Sequence, residues 1–386
     1  MTLLDRTDAA WRQLGGLETA EEIQQQPLIW RALADHLNAQ RQRIEGFLGD
    51  WLAQPGHRVI LTGAGSSAYI GEIVADEAAA TWPAQVRAVA STSLLTHPSS
   101  YLDGRPTLLV SFARSGNSPE SLAALELVHE LVPTSRFLNI TCNAAGELAR
   151  RSQARADTLN LLMPERSCDR GFAMTSSFST MLLAALAVFG RAPWNERLHH
   201  IELLAQQATQ ALQQWAAGIA ALAREPFERV VFLGSGPLEA LAKEAALKVM
   251  ELTCGKVLAL ANTSLGFRHG PKSALTAKTL VVAFRSATGV ASRYEQDMLN
   301  ELGREQIAGF VRTVGPGEQL QQTVADFQGP SLGLSDSWLA PLWLLMPQQL
   351  ALHKSAVLGL TPDNPFPDGT LNRVVAGVTI HSHVNS

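Results

Sequence analysis

The sequence predicts an α/β chain of two tandem doubly wound parallel-sheet domains with an N-terminal helical segment. Three observations lead there. Short apolar, β-branched runs alternate with segments of helical spacing, the pattern of parallel sheets covered on both faces. Arg58-Val-Ile-Leu-Thr-Gly63-Ala-Gly65 is echoed by Arg229-Val-Val-Phe-Leu-Gly234-Ser-Gly236, an offset of 171 (229 − 58). Thr107-Leu-Leu-Val-Ser-Phe112 is echoed by Thr279-Leu-Val-Val-Ala-Phe284, an offset of 172 (279 − 107). Two separate strands agreeing to one residue mark a duplication, which must be settled before motifs are read.

The elements follow in order. Thr19-Ala-Glu-Glu22 reads as a capping box, and Ile23, Leu28, Trp30 and Leu33 follow at roughly helical spacing, so residues 1–48 are taken as helical. The first domain, 49–197, carries strands at 58–62, 86–90, 107–112 and 136–141. Residues 196–224, rich in Gln, Ala and Leu, form a helix that links the halves, the linker proper being 198–224. The second domain, 225–364, carries strands at 229–233, 279–284 and 308–313. Thr361-Pro-Asp-Asn-Pro-Phe-Pro-Asp-Gly-Thr370 holds too many prolines for a helix or central strand. It opens a tail or lid, 365–386, that leads into an apolar run from Val374 to Ile380.

Composition narrows the function. A chain of 386 residues with 46% hydrophobic content has the material for two or three domains. Charged residues are 17% and the net charge is −4, so no global field would hold a polyanion, and a nucleic-acid partner is not expected. The start, MTLLDRTDAAW, is acidic where a signal peptide is basic. The most apolar stretches, Met181 to Phe189 and Trp338 to Met346, fall short of the roughly 20 residues that cross a bilayer. Cys142, Cys168 and Cys254 are dispersed and unpaired in spacing. A cytoplasmic location without disulfides, zinc or membrane contact is expected.

The candidate chemistry is split between the halves. Arg114-Ser115-Gly116-Asn117-Ser118 follows the strand 107–112 and precedes a helix. Hydroxyls around a glycine at a helix N-terminus suit an oxyanion. The same residues also make a plain helix cap, with Ser118 at the N-cap and Pro119 at N1. The equivalent second-half loop, Arg285-Ser-Ala-Thr-Gly289, is not serine-rich in the same way, and this asymmetry favours a phosphate site in one half. Gly63-Ala-Gly65-Ser66-Ser67-Ala68 imitates a dinucleotide fingerprint, but no acid follows roughly 20 residues on, as that fold requires. Ser66 and Ser67 are assigned to a small sugar phosphate instead, and no cofactor is implied. In the second half, Lys248 and Glu251 share a helix face. They are either acid–base groups or, with Glu244, a solvated charge face. His269 sits between Arg268 and Gly270-Pro271, a setting unlike a packing histidine but open to a structural role.

These residues resemble the sugar isomerase (SIS) domain superfamily in two copies, a flavodoxin- or Rossmann-like fold. Glu22-Ile-Gln-Gln-Gln-Pro27 resembles the segment preceding the domain pair. Gly65-Ser-Ser67 and Ser115-Gly-Asn-Ser118 resemble its sugar-phosphate loops. Lys248-x-x-Glu251 with His269-Gly-Pro271 resembles the catalytic set of the isomerase half of glucosamine-6-phosphate synthase. With Asp169-Arg-Gly-Phe-Ala-Met-Thr-Ser-Ser177, the pattern is most similar to the galactosamine-6-phosphate deaminase/isomerase group, often labelled tagatose-6-phosphate ketose/aldose isomerase. The chain has no counterpart of the synthase's glutaminase domain, so the resemblance implies ammonia release.

The resemblance assigns phosphate and substrate contacts to Gly65, Ser66, Ser67, Arg114, Ser115, Asn117, Ser118, Met174, Thr175 and Ser176, those of the 174–176 segment through backbone N–H groups. It assigns Glu251 as the C2 base and His269 as the ring opener, reaching the neighbouring subunit of a homodimer. Lys248 and Arg373, the latter in place of a lysine, would stabilise charge on O1. The rival readings are glucosamine 6-phosphate as substrate, plain isomerisation of a neutral sugar phosphate, and a sugar-phosphate-sensing regulator. That last reading wants a DNA-binding element that the sequence does not display.

Overall fold

The two apolar Gly-x-Gly repeats begin two parallel sheets of identical plan. The structure, a computed structural model, describes residues 2–317, 326–375 and 377–381. The chain opens with β1 (Thr2–Leu3) and β2 (Arg6–Thr7), an antiparallel pair, then α1 (Asp8–Gln13), α2 (Leu17–Gln24) and α3 (Gln26–Leu48). The first sheet comprises β3 (Arg58–Thr62), β4 (Gln85–Ala88), β5 (Thr107–Ala113), β6 (Arg136–Thr141) and β7 (Thr158–Leu162). Its helices are α4 (Ser66–Thr81), α5 (Ser91–Thr96), α6 (Pro119–Leu131), α7 (Glu147–Ser152) and α8 (Ser176–Phe189). After α9 (Trp194–Arg224), the second sheet comprises β8 (Arg229–Leu233), β9 (Leu258–Asn262), β10 (Thr279–Phe284), β11 (Phe310–Pro316) and β12 (Phe327–Gly329). Its helices are α10 (Pro237–Leu252), α11 (Gly289–Glu305) and α12 (Asp336–Val357).

The strand orders are β4-β3-β5-β6-β7 and β9-β8-β10-β11-β12, the same doubly wound order twice. Register repeats too: Arg58 lies opposite Thr107, and Arg229 opposite Thr279. The turn into each first helix is the same, with Gly65 at φ 56°, ψ −130° and Gly236 at φ 56°, ψ −129°. Side chains other than glycine avoid that conformation.

β3, β5 and β10 are buried along their whole length, and α8 is buried on every side. One apolar cluster runs from Val59 and Leu61 through α8 to Val230 and Phe232, so the two sheets share a core. α10 packs on α4 and α12, which brings the end of one half's helix beside the first loop of the other. Among the described residues no helix is long and apolar enough to cross a membrane.

Several elements differ from the sequence expectation. The strand placed at 86–90 runs over Gln85–Ala88, and that at 308–313 over Phe310–Pro316. β7, β9 and β12 were not expected; β9 reads Leu-Ala-Leu-Ala-Asn, without a β-branched residue, and β12 has three residues. Thr19 to Glu22 is not a capping box, because α2 already begins at Leu17. Asp363 instead accepts hydrogen bonds from the Glu18 and Thr19 amides at 3.1 and 2.8 Å, and Glu22 turns to another loop. The run Val374 to Ile380 forms neither helix nor strand over its described residues, with Val375, Val378 and Ile380 exposed; Ala376 lies outside the described residues, as do residues 382–386 of the predicted lid.

Candidate active site

A cleft of about 260 Å³ opens where the carboxyl ends of β3 and β5 meet the last turn of α10. The position is the one where open parallel sheets bind ligands. Gly65, Ser66, Ser67, Arg114, Ser115, Gly116, Ser118, Met174, Glu251 and Arg373 all line it. Ten positions that span more than 300 residues of sequence are thereby brought to one surface.

The phosphate-type end is built from two open helix starts. α4 begins at Ser66 and α6 at Pro119, and neither has a side-chain cap bond. Ser118 holds the N-cap position, yet its hydroxyl donates to Glu120 at 2.7 Å. The positive ends of both helix dipoles are left facing the cleft, a setting that favours an anion. Gly63 keeps the turn tight, since a Cβ there would meet Ser67 Cβ at 2.5 Å.

Arg114 forms the floor. It is buried and donates to the Phe172 carbonyl at 2.9 Å and the Arg373 carbonyl at 2.8 Å. Burial lowers its pKa, but from a value so high that the guanidinium stays charged.

The opposite end is a buried charge cluster on α10. The Lys248 ammonium, fully enclosed, lies 2.6 Å from Glu251, 3.3 Å from Glu244 and 3.0 Å from Ser66 Oγ. Burial pushes Lys248 down, but Glu244 and Glu251 outweigh it and its pKa is raised. Burial drives Glu244 up to about 7, with Lys248 opposing and Glu251 adding to the shift. A solvated charge face is therefore excluded for these residues. Only Glu251, with a side chain 24% exposed, reaches the cleft. Lys248 has three N–H donors and three partners, so it does not face the cleft as expected. It fixes Glu251 from behind and ties α10 to the loop of the other half.

Four further expected residues stand elsewhere. Asn117 points its side-chain oxygen at the Glu147 amide, 2.9 Å away, and caps α7. Thr175 and Ser176 are buried, and their amides donate to the Asp169 carboxylate, each at 2.9 Å. Ser177 adds a third amide at 3.0 Å. An internal anion thus fills the helix start predicted to hold substrate, and of that segment Met174 alone lines the cleft. His269 is exposed beside the turn Gly266–Arg268 and does not line this cleft.

The second-half loop is closed in a similar way. The Ser286 amide donates to Glu295 at 2.9 Å and the Ala287 amide to Asp336 at 2.8 Å, and both carboxylates are buried. The protein's own acids occupy the position that the first half leaves open. Sequence reasoning missed the capping roles of Asp169, Glu295 and Asp336, which lie several residues to tens of residues from the amides they cap.

A duplicated doubly wound fold, an open anion cradle and a facing, partly exposed carboxylate define a sugar-phosphate type of α/β enzyme. The family model described as "SIS domain" matches residues 52–191. The D-galactosamine-6-phosphate deaminase AgaS of Shewanella sp. (strain ANA-3) is 42% identical over 376 residues, covering 96% of this chain and 94% of that protein. The protein of the same name from Escherichia coli is 41% identical over 372 residues, covering 95% and 96%. The crystal structure of tagatose-6-phosphate ketose/aldose isomerase from Escherichia coli superposes with a TM-score of 0.89 at 38% identity, over 99% of this chain and all of that one. The chain belongs to the SIS-domain family, and within it to the AgaS branch of enzymes.

Proposed function

We propose that the enzyme converts galactosamine 6-phosphate to tagatose 6-phosphate and ammonia. The observation that carries this reading is the shared cleft. The open helix starts at Ser66 and Ser118 and the Glu251 carboxylate line one space, and relatives covering nearly the whole chain bear the deaminase name.

The phosphate sits against Ser66, Ser67, Ser115 and Ser118, with Arg114 beneath it. Lys248 donates to Ser66 Oγ, which ties this loop to the charge cluster. Remote phosphate binding then positions C2. His269 of a neighbouring subunit opens the sugar ring by moving a proton between O1 and the ring oxygen; its exposed position suits service in a homodimer. Glu251 removes the C2 proton to give an enolamine. Protonation at C1 yields a C2 imine, and water adds to release ammonia and the ketose. Positioned bases of this kind contribute about 10²–10⁴-fold. Charge developing at O1 falls to Arg373, since Lys248 is enclosed. We place this chemistry in the cytoplasm.

The second reading is plain aldose–ketose isomerisation, favoured by the isomerase name of the Escherichia coli relative of known structure. One assay separates them. Galactosamine 6-phosphate should give ammonia and tagatose 6-phosphate in equal amounts, faster than glucosamine 6-phosphate gives ammonia. Interconversion of neutral sugar phosphates with no ammonia from either amino sugar would replace the deaminase by the isomerase.

A further inference from the structure

We infer that Glu22, which lines no part of the cleft, is a positioning residue that sets the phosphate affinity of the site through Arg114. The inference deepens the proposed reading and rests on it only for the identity of the substrate.

The geometry is a ring of hydrogen bonds through four distant segments. Glu22, buried on α2, accepts the Arg170 amide and, at 3.2 Å, the Gly171 amide. This loop turns its Gly171 and Phe172 carbonyls to Arg114, at 3.5 and 2.9 Å. Arg114 donates onward to the Arg373 carbonyl at 2.8 Å, and the Arg373 guanidinium returns to the Arg170 carbonyl at 2.5 Å. The ring is pinned from outside by Asp363, whose carboxylate takes the Thr19 amide at 2.8 Å and its hydroxyl at 2.7 Å. The Asp363 carbonyl accepts the Phe172 amide at 3.1 Å. Both cationic side chains of the cleft thus hang on the 170–172 loop, and Glu22 is the side chain that fixes that loop's amides.

Alternatives for Glu22 fit less well. Its ion-pair distance to Arg170 is 4.0 Å, with Arg170 exposed, so a salt bridge is not its purpose. The space behind it is tight, since a Cβ on Gly171 would stand 3.0 Å from Glu22 Oε2. Burial and the nearby Asp169 push the Glu22 carboxyl up to about 8. Glutamine keeps the shape and the one oxygen, Oε1, that accepts both the Arg170 and the Gly171 amides.

The test uses inorganic phosphate binding by calorimetry alongside steady-state ammonia release on the full chain. Glu22→Ala should raise the phosphate Kd and the KM about tenfold, with kcat within about threefold. Glu22→Gln should stay within about twofold of wild type. Glu22→Asp, which withdraws the acceptor but stays soluble if alanine does not, should fall between. Arg114→Ala should weaken phosphate binding at least as much as Glu22→Ala, and the double variant should be no weaker than Arg114→Ala alone, since residues in one network do not add. Unchanged phosphate affinity in Glu22→Ala and Glu22→Asp, or fully multiplicative effects with Arg114→Ala, would overturn the inference. If wild type released no ammonia while the phosphate cycle held, the substrate reading would fail and the positioning role would stand.

Discussion

Lys248 Nζ and Ser66 Oγ lie 3.0 Å apart, although 182 positions separate them in the chain. The bond joins the acid–base helix of one half to the phosphate-type loop of the other, with Glu251 2.6 Å from the same ammonium. A change at one end of the cleft is thereby felt at the other.

Lys248→Met should cost the fold about 3–5 kcal/mol, the usual consequence of leaving buried carboxylates without their cation. Adding Glu244→Gln should recover part of that loss, because Glu244 is fully buried beside Lys248. Urea denaturation of the single and double variants checks both statements. A Lys248→Met protein as stable as wild type would contradict the buried-cluster description.

Ser115→Ala should raise KM and weaken inhibition by inorganic phosphate. A hydrogen bond to a charged group is worth roughly 1.5–3 kcal/mol, which corresponds to an order of magnitude or more. Ser176→Ala is the contrasting variant. Its amide stays on Asp169 in the variant, and the hydroxyl removed is turned away from the cleft, donating to the Glu22 carbonyl at 2.6 Å, so KM should move less than in Ser115→Ala. Initial-rate kinetics on the pair distinguish a residue of the cleft from one turned inward.

Much of this arrangement is legible in the sequence, and the exceptions have physical causes. The duplication is visible because β3 and β8, and β5 and β10, keep both their apolar runs and their spacing. β9 is hidden because Leu and Ala alternate there with no β-branched signal. The Thr175-Ser-Ser177 segment looks like a donor set for substrate, and it is a donor set, but the acceptor is Asp169. Nothing in a linear pattern distinguishes an internal carboxylate from an incoming phosphate. The ties of Asp363 to Thr19, and of Glu22 to the 170–171 amides, bring together residues far apart in the chain, beyond the reach of local spacing rules. Lys248 was readable as part of the site but not as enclosed, because burial depends on α4 of the other half.

His353 should contribute a loss of stability in acid, opposed by Glu22 and Glu244, whose raised pKa values favour the folded state as pH falls. Burial, reinforced by Arg6, holds its pKa down to about 4, against 6.5 in the unfolded chain. Above pH 6.5 neither state is protonated and the group is neutral to stability. Between pH 6.5 and 4 the unfolded chain takes a proton that the folded one refuses, so this group's contribution drops with falling pH. The loss approaches about 2–3 kcal/mol near pH 4.5. His353→Gln should flatten that part of the profile, as read from denaturation at pH 7 and pH 4.5; an unchanged slope would remove His353 as the cause.

Glu251 is the one ionisable carboxylate of the charge cluster that reaches the cleft, and the division of labour rests on it. Glu251→Gln keeps the side chain's shape but cannot accept a proton, so turnover should fall by at least about 10²-fold. Substrate should still bind, because the phosphate cradle belongs to the other half. The direct measurement is hydrogen–deuterium exchange at C2 of galactosamine 6-phosphate in heavy water, run on Glu251→Gln and His269→Asn beside wild type. Exchange should vanish with ammonia release in Glu251→Gln, and survive in His269→Asn on the spontaneously opened aldehyde. Wild-type C2 exchange in Glu251→Gln would contradict the base assignment and leave the Lys248–Glu251 pair a structural one.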